Sequence, residues 1–134
     1  MISHEAILQR QVCDYIRLQY PHVIFRSDFA SGMKMSIGQA TRHKKLQSHR
    51  AWPDLFVAEP RNERLTGVYT GHYCGLFIEL KAKTIYKKDG SLLANDHVAE
   101  QKTMLEWLET RGYMARFAVG FDEAKKLIDD YLTE

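Results

Sequence analysis

Three stretches of this chain repeat apolar residues at helical spacing, with polar residues between them. The first predicts a helix over 3–20 that Pro21 ends, and the second predicts a helix over 96–111 that Gly112 ends. The third predicts a helix near the end of the chain. The predicted N-caps of the three helices are Ser3, Asp96 and Asp122.

Four shorter apolar runs predict β-strands over 22–26, 55–58, 75–83 and 113–119. Along the chain the order is helix, three strands, helix, strand, helix. This order is typical of an α/β layer in which helices pack on a small mixed sheet. The chain has 134 residues, a length that suits a single domain over 1–134 with one core.

Polar segments connect these elements. The segment 27–52 has glycine and serine breaks and no sustained period, so we predict that it is mostly loop. Loops of that length usually have a function. We predict a polar connection over 60–75, with a small hairpin around Gly67 and Gly71 as one option, and a second loop over 84–95.

Two carboxylates and a lysine at the predicted strands are the main candidates for chemistry. Asp54 opens the run 55–58, and Glu79 and Lys81 lie within the run 75–83. Two carboxylates can hold a divalent cation, and a nearby lysine can orient or deprotonate an attacking water. The residues therefore predict phosphodiester hydrolysis. The alternative is a Glu79–Lys81 ion pair at a sheet edge.

Strand alternation gives these side chains a common face. One face of the run carries apolar residues, and the other carries Phe77, Glu79, Lys81 and Lys83. An apolar-rich strand of this kind is usually central in a sheet and covered on both sides. Glu79 and Lys81 are therefore predicted on a partly buried face, where an unpaired charge is costly.

Charge is unevenly distributed although the formal net charge is only +2. The interval 34–50 contains no acidic residue, and its cations are Lys34, Arg42, Lys44, Lys45 and Arg50. Such a stretch can neutralise several phosphates, so it predicts DNA binding. The alternative is a solvated surface loop.

Composition excludes several other classes of protein. No segment approaches the roughly 20 apolar residues that span a bilayer. Cys13 and Cys74 form neither a disulfide framework nor a zinc-ligand spacing. A cytoplasmic protein without a small-molecule cofactor or a membrane partner is therefore predicted.

Two further polar residues have open interpretations. Gln101 falls within the apolar stripe of the helix 96–111, so it either contacts the site or bonds to a backbone group. Glu5 lies in the first turn of the first helix, where a helix N-terminus alone would explain it. A role in the site would require Glu5 to lean towards Asp54.

Several histidine and aromatic residues are predicted to have ordinary roles. The spacing of His4, His43 and His49 matches no standard metal site, so these side chains are predicted to be solvated. Trp52 and Tyr113 are predicted to pack rather than to stack on bases.

Taken together, these residues resemble the PD-(D/E)xK nuclease superfamily and, within it, the stand-alone phage-type members of the VRR-NUC family. The resemblance covers nearly the whole chain. It is carried by Pro53-Asp54, Glu79-Leu80-Lys81, Gln101 and Glu5, and by the stretches Phe25 to Asp28 and Arg50 to Asp54.

The resemblance implies a restriction-endonuclease-like fold and dependence on Mg²⁺ or Mn²⁺. Asp54, Glu79 and the backbone carbonyl of Leu80 would be metal ligands, and Lys81 would position the nucleophilic water. Gln101 and Glu5 would be supporting catalytic residues. A homodimer that acts on branched DNA, in a bacterial or phage-infected cell, is also implied.

The chain departs from that family in two respects: the loop between Lys81 and Gln101 is rather long, and one position near the site differs. Family members often have glycine two residues before the Pro-Asp pair, where this chain has Ala51. The turn into the site is therefore expected to differ slightly. A metal-dependent DNA endonuclease is the main functional prediction, and the alternative is a DNA-binding module that keeps the nuclease fold but does not cleave.

Overall fold

The computed structural model describes residues 2–28, 34–65 and 68–133, with the backbone alone for 62–65 and 68–71. Its helices are α1 (His4–Gln19), α2 (Ile37–Lys45), α3 (Asp96–Glu109) and α4 (Gly120–Leu132). Its strands are β1 (Phe25–Ser27), β2 (Leu55–Val57), β3 (Arg61–Leu65), β4 (Val68–Tyr73), β5 (Leu76–Lys81) and β6 (Met114–Val119).

Four of the strands form one mixed sheet in the order β1-β2-β5-β6. The first three pair antiparallel to their neighbours, and β5 and β6 are parallel. The α/β class and the mixed sheet with helices are therefore confirmed. β3 and β4 form a separate antiparallel hairpin, which confirms the option considered for 60–75. Of the two glycines that suggested it, Gly71 lies within β4, and Gly67 lies outside the described residues.

The central sheet is buried on both faces. Leu76, Ile78 and Leu80 of β5 pack with α1 and α4 on one face. Phe77 faces the other way and packs with Met104 of α3. This alternation is the one predicted from the sequence. It follows from the period of two residues along a strand.

The structure contains one helix that the sequence pattern does not predict, and two of the predicted helix N-caps are wrong. The unpredicted helix is α2, in the segment 27–52, whereas the other described residues of this segment, after β1, are turns, bends or irregular backbone, as predicted. The N-cap of α3 is Asn95, whose side chain accepts hydrogen bonds from the amides of His97 and Val98, rather than Asp96. Asp122 does not cap α4 either, since that helix begins two residues earlier at Gly120. Asp96 and Asp122 instead lie in the first turns of their helices, where a carboxylate is favoured by the helix dipole.

Among the helices that the structure describes, none is both long and apolar enough to cross a membrane.

Candidate active site

The register of two strands brings Asp54 and Glu79 together. Leu55 at the start of β2 pairs with Ile78 of β5, so the preceding residue, Asp54, lies opposite Glu79. The backbone N–H of Leu80 donates a hydrogen bond of 2.8 Å to Oδ2 of Asp54. This bond holds the Asp54 side chain against β5. The two carboxylates therefore share the face that α3 covers.

Glu79 is a buried carboxylate, with only 5% of its surface exposed. The side-chain amide of Gln101 donates a 2.8 Å hydrogen bond to its Oε1 atom. Among the residues that the structure describes, its Oε2 atom has no hydrogen-bond partner. Burial, and after it the nearby charge of Asp54, raises the pKa of Glu79 to about 9, although Lys81 acts in the opposite direction. The ionised form of Glu79 is therefore disfavoured in this site, and a bound cation would stabilise it.

Lys81 lies beside this carboxylate on the same face of β5. Its Nζ atom is 3.9 Å from Oε1 of Glu79, and its side chain is 13% exposed. The two side chains are close enough to form an ion pair when Glu79 is ionised, but β5 is an interior strand of the sheet. The interpretation of this pair as a sheet-edge contact is therefore wrong. The ammonium group is held where it can reach a ligand bound between the carboxylates.

The structure places Gln101 in the core of the site and Glu5 at its rim. Gln101 contacts the Glu79 side chain rather than a backbone group, and its amide nitrogen lies 3.2 Å from Nε2 of His97. Glu5 is exposed, and its Oε2 atom accepts a 3.2 Å hydrogen bond from the amide of Ala82. Glu5 thus reaches the end of β5, next to Lys81.

A cavity of about 370 Å³ opens over these residues. Glu5, Asp54, Glu79, Leu80, Lys81 and Gln101 all line it. All of the catalytic and metal-binding residues predicted from the sequence therefore meet at one place. Their chemical roles stay predictions.

Four polar residues of this cavity were given no site role in the sequence analysis: Asp28, His43, Gln47 and His97. Asp28 follows β1, and its amide donates a 2.8 Å hydrogen bond to the carbonyl of Asp54. It is one residue beyond the paired strands, on the same face as Asp54. His43 of α2 lies 3.5 Å from the Asp28 carboxylate. It was predicted to be solvated, but it is half-buried at the cavity wall.

The predicted DNA-binding cations are all exposed, and none of them lines the cavity. Arg42, Lys44 and Lys45 belong to α2, and Lys34 precedes that helix. Arg50 forms two hydrogen bonds, of 3.0 and 3.1 Å, with the carboxylate of Glu100 on α3. Its charge is therefore partly neutralised, whereas α2 presents a basic surface next to the cavity.

The donor set fits a hard divalent cation. Within 2–28, 34–65 and 68–133, no group of three or more His, Cys, Asp or Glu side chains could hold a metal by itself. Mg²⁺ does not require such a group, because it often binds one or two carboxylates and completes its shell with water and substrate phosphate. The unsatisfied Oε2 of Glu79 is an oxygen donor of the required kind. Asp54, Glu79 and the carbonyl of Leu80 are the residues that fit this role.

Ala51 adopts a backbone conformation that usually requires glycine. Its φ angle is 65°, in the left-handed region, and it is the one non-glycine residue with positive φ in the described part of the chain. The turn before Pro53-Asp54 therefore contains a left-handed residue in spite of the alanine side chain. Ala51 also lines the cavity, so this turn forms part of its wall.

Comparison with known proteins establishes the fold. No family model matches this chain, and no curated protein matches it. Among solved structures, the chain is similar to one described as a "VRR_NUC domain protein", with a TM-score of 0.63 and 21% sequence identity. The similarity covers 98% of this chain and 90% of that one. The resemblance to VRR-NUC proteins is thus confirmed at the level of the fold.

Proposed function

We propose that this chain is a VRR-NUC family member and a metal-dependent DNA endonuclease. One observation carries the proposal: β2 and β5 hold Asp54 opposite a buried Glu79 whose Oε2 lacks a partner in the described chain, with Lys81 beside them. Such a buried concentration of carboxylates is costly for a purely structural site. It is the arrangement expected where a cation and a phosphate bind.

Each side chain has a distinct role in this proposal. Asp54, Glu79 and the Leu80 carbonyl would hold Mg²⁺ or Mn²⁺, which supplies Lewis-acid stabilisation of the phosphate and lowers the pKa of a coordinated water. The ammonium group of Lys81 orients the attacking water and offsets charge on the phosphate oxygens. Gln101 fixes the orientation of the Glu79 carboxylate through its hydrogen bond. Hydrolysis then adds water across one P–O bond of the backbone.

The basic surface of α2 supplies DNA binding without reading sequence. Arg42, Lys44 and Lys45 are exposed on a helix that also contributes His43 to the cavity wall. Cations on this helix and Lys34 can contact phosphates on either side of the cleaved bond. Arg50 is expected to contribute less, because it is paired with Glu100.

The proposed chemistry is tested by measuring DNA cleavage by variants of Glu79 and Lys81. Glu79→Gln and Lys81→Ala are each expected to lower the cleavage rate by at least about 10²-fold. The first weakens the proposed metal site, and the second removes the cation that offsets charge on the phosphate. Lys83→Ala is the matched control, since Lys83 is exposed and lines a different cavity. Labelled DNA is incubated with Mg²⁺, Mn²⁺ or EDTA, and products are separated on denaturing gels. Wild-type rates in both site variants would overturn the mechanism.

Measuring the free energy of unfolding with and without metal distinguishes an endonuclease from a DNA-binding module that does not cleave. Wild-type protein is expected to gain about 3 kcal/mol of unfolding free energy when free Mn²⁺ is about 100-fold above its Kd. Glu79→Gln should lose that gain, yet should be at least as stable as wild type in EDTA, because it removes a buried carboxylate.

The control for this experiment is Glu123→Gln, which changes an exposed acidic residue of α4. It should keep the full response to Mn²⁺ in thermal unfolding. DNA binding by wild-type protein without either a metal response or cleavage would favour the non-cleaving module.

A further inference from the structure

A second groove adjoins the candidate active site and contains both tryptophans of the chain. Its volume is about 320 Å³. The residues that shape it are His49, Trp52, Met104, Trp107, Leu108 and Arg111. Trp52 also lines the cavity above Glu79, so one indole ring forms the boundary between the two spaces. A ligand can therefore extend from one into the other.

The two walls of the groove come from separate segments that are fixed to each other. One wall is the segment 48–52, and the other is the C-terminal half of α3. The two hydrogen bonds between Arg50 and Glu100 fasten the first wall to the helix. His49 contacts Trp107 edge to face, with 5.3 Å between the ring centroids. These contacts hold the two walls of the groove in place relative to each other.

The groove exposes aromatic surface together with positive charge. Trp52 and Trp107 remain 40% and 45% exposed, which is unusual for side chains that are normally well buried. Arg111 is also exposed, and its guanidinium lies near the carbonyl of Trp107. None of the described residues that line the groove is acidic. Trp52 was predicted to pack rather than to stack on bases. It does contact the ring of Phe77, but much of its surface stays exposed and available to a ligand.

Exposed aromatic rings beside cations are suited to unpaired nucleotides. Bases that are not in a duplex stack on such rings, and the arginine contacts their phosphates. A duplex buries its bases and cannot use the rings in this way. We propose that this groove, named here the tryptophan groove, binds an unpaired DNA strand that leads into the active site. This step rests on the proposed function and selects branched or single-stranded DNA as its substrate class.

Intrinsic fluorescence provides a direct test, because Trp52 and Trp107 are the only tryptophans of the chain. In EDTA, where cleavage is not expected, a short single-stranded oligothymidine should quench the emission of wild-type protein. A blunt duplex of equal length should quench it much less. Trp107→Ala should weaken binding of the single strand about tenfold, and Trp107→Phe should retain most of it because the ring is kept.

The control is Tyr86→Ala, which removes a comparably exposed aromatic ring, 39% exposed, from outside the groove. It should bind the single strand as wild type does. Thermal unfolding of Trp107→Ala establishes that the variant is folded. Absence of quenching, or wild-type affinity in Trp107→Ala, would overturn the proposal, as would equal quenching by the duplex.

Cleavage is measured separately, so the two proposals fail in different ways. If wild-type protein cleaves flap DNA and Glu79→Gln does not, but Trp107→Ala keeps the same preference for flap over duplex, only the tryptophan groove is refuted. If single strands quench the fluorescence but no metal supports cleavage, the groove stands as a binding site and the endonuclease is refuted.

Discussion

Ala51 shows how one residue can keep a costly backbone conformation next to a site. Its φ of 65° is disfavoured for an alanine by roughly 1–2 kcal/mol, because Cβ approaches a carbonyl oxygen. The turn lies between Arg50, which is bonded to α3, and Trp52, which borders both cavities. The surrounding contacts therefore maintain the conformation that a glycine would adopt freely.

Replacing this alanine is expected to stabilise the protein. Ala51→Gly should raise the free energy of unfolding by about 1 kcal/mol, since relief of strain exceeds the extra chain entropy of glycine. Ala99→Gly is the control with the opposite expected sign, because Ala99 is exposed within α3. This substitution should lower the free energy of unfolding by about 0.5–1 kcal/mol. Urea denaturation of the two variants measures both changes. A loss of stability in Ala51→Gly would contradict the strain at this turn.

At the same scale, the sequence predicts some site residues better than others. Glu79 and Lys81 are recognisable because strand alternation places them on one covered face, a property of nine consecutive residues. Asp28 and His43 reach the cavity only through the pairing of β1 with β2 and the position of α2. Such contacts depend on tertiary structure, so a local pattern cannot reveal them.

At the scale of elements, α2 was missed because it buries no residue. Ile37 and Ala40 are the only apolar residues in it, too few to give the repeat from which an amphipathic helix is predicted. A local signal was nevertheless present. Ser36 and Gln39 form a capping box, in which each side chain bonds to the backbone amide of the other residue. The hairpin of β3 and β4, by contrast, was one option for 60–75, suggested by two of its glycines.

Asp129 joins α1 to α4. Its Oδ1 atom accepts hydrogen bonds of 2.6 Å from the hydroxyls of both Tyr15 and Tyr20. Asp129→Ala should therefore lower the free energy of unfolding by about 1–3 kcal/mol, because both hydroxyls lose their partner. Asp130→Ala is the matched neighbour, since its exposed carboxylate pairs with Lys126 on the surface and should change stability by less than about 0.5 kcal/mol.

The contribution of Asp129 also predicts a dependence on pH. Burial would raise the pKa of Asp129, but hydrogen bonds from Tyr15, Tyr20 and Lys125 outweigh it, so the pKa lies below its ordinary value. Stability from a lowered carboxyl pKa is fully present above about pH 4, the ordinary value, and is lost as the pH falls through the lowered one. The difference between wild type and Asp129→Ala in urea should shrink towards pH 2. A difference in stability that does not change with pH would argue against stabilisation by the ionised Asp129 carboxylate.

At the scale of the whole molecule, one face of the sheet forms the larger core and the other carries the candidate site. α1 and α4 cover the face that forms the larger core. The site, the tryptophan groove and the basic α2 all lie towards the other face, with α3. A polyanion is therefore expected to approach from that side. Two chains arranged with these faces towards one DNA branch would present two active sites to opposite strands.

A homodimer acting on branched DNA is what the resemblance to VRR-NUC proteins implies, and it stays a prediction. Sedimentation should give a particle of twice the chain mass of 15.6 kDa. A labelled four-way junction should then receive paired cuts near the branch point in Mg²⁺ or Mn²⁺, and Glu79→Gln should abolish them. A monomer that makes single, unpaired nicks would contradict the dimer and leave the hydrolytic site intact.

The direct pairing of β2 with β5 has a consequence for tracing distant relatives of this chain. The hairpin of β3 and β4 lies between these strands in sequence but outside the sheet that they share. The distance between Asp54 and Glu79 in space is fixed by strand register, whereas the number of residues between them depends only on that hairpin. Insertions and deletions there can accumulate over evolution without moving either carboxylate. A search that requires a fixed interval between the two acids will pass over homologues that a search by strand pairing retains.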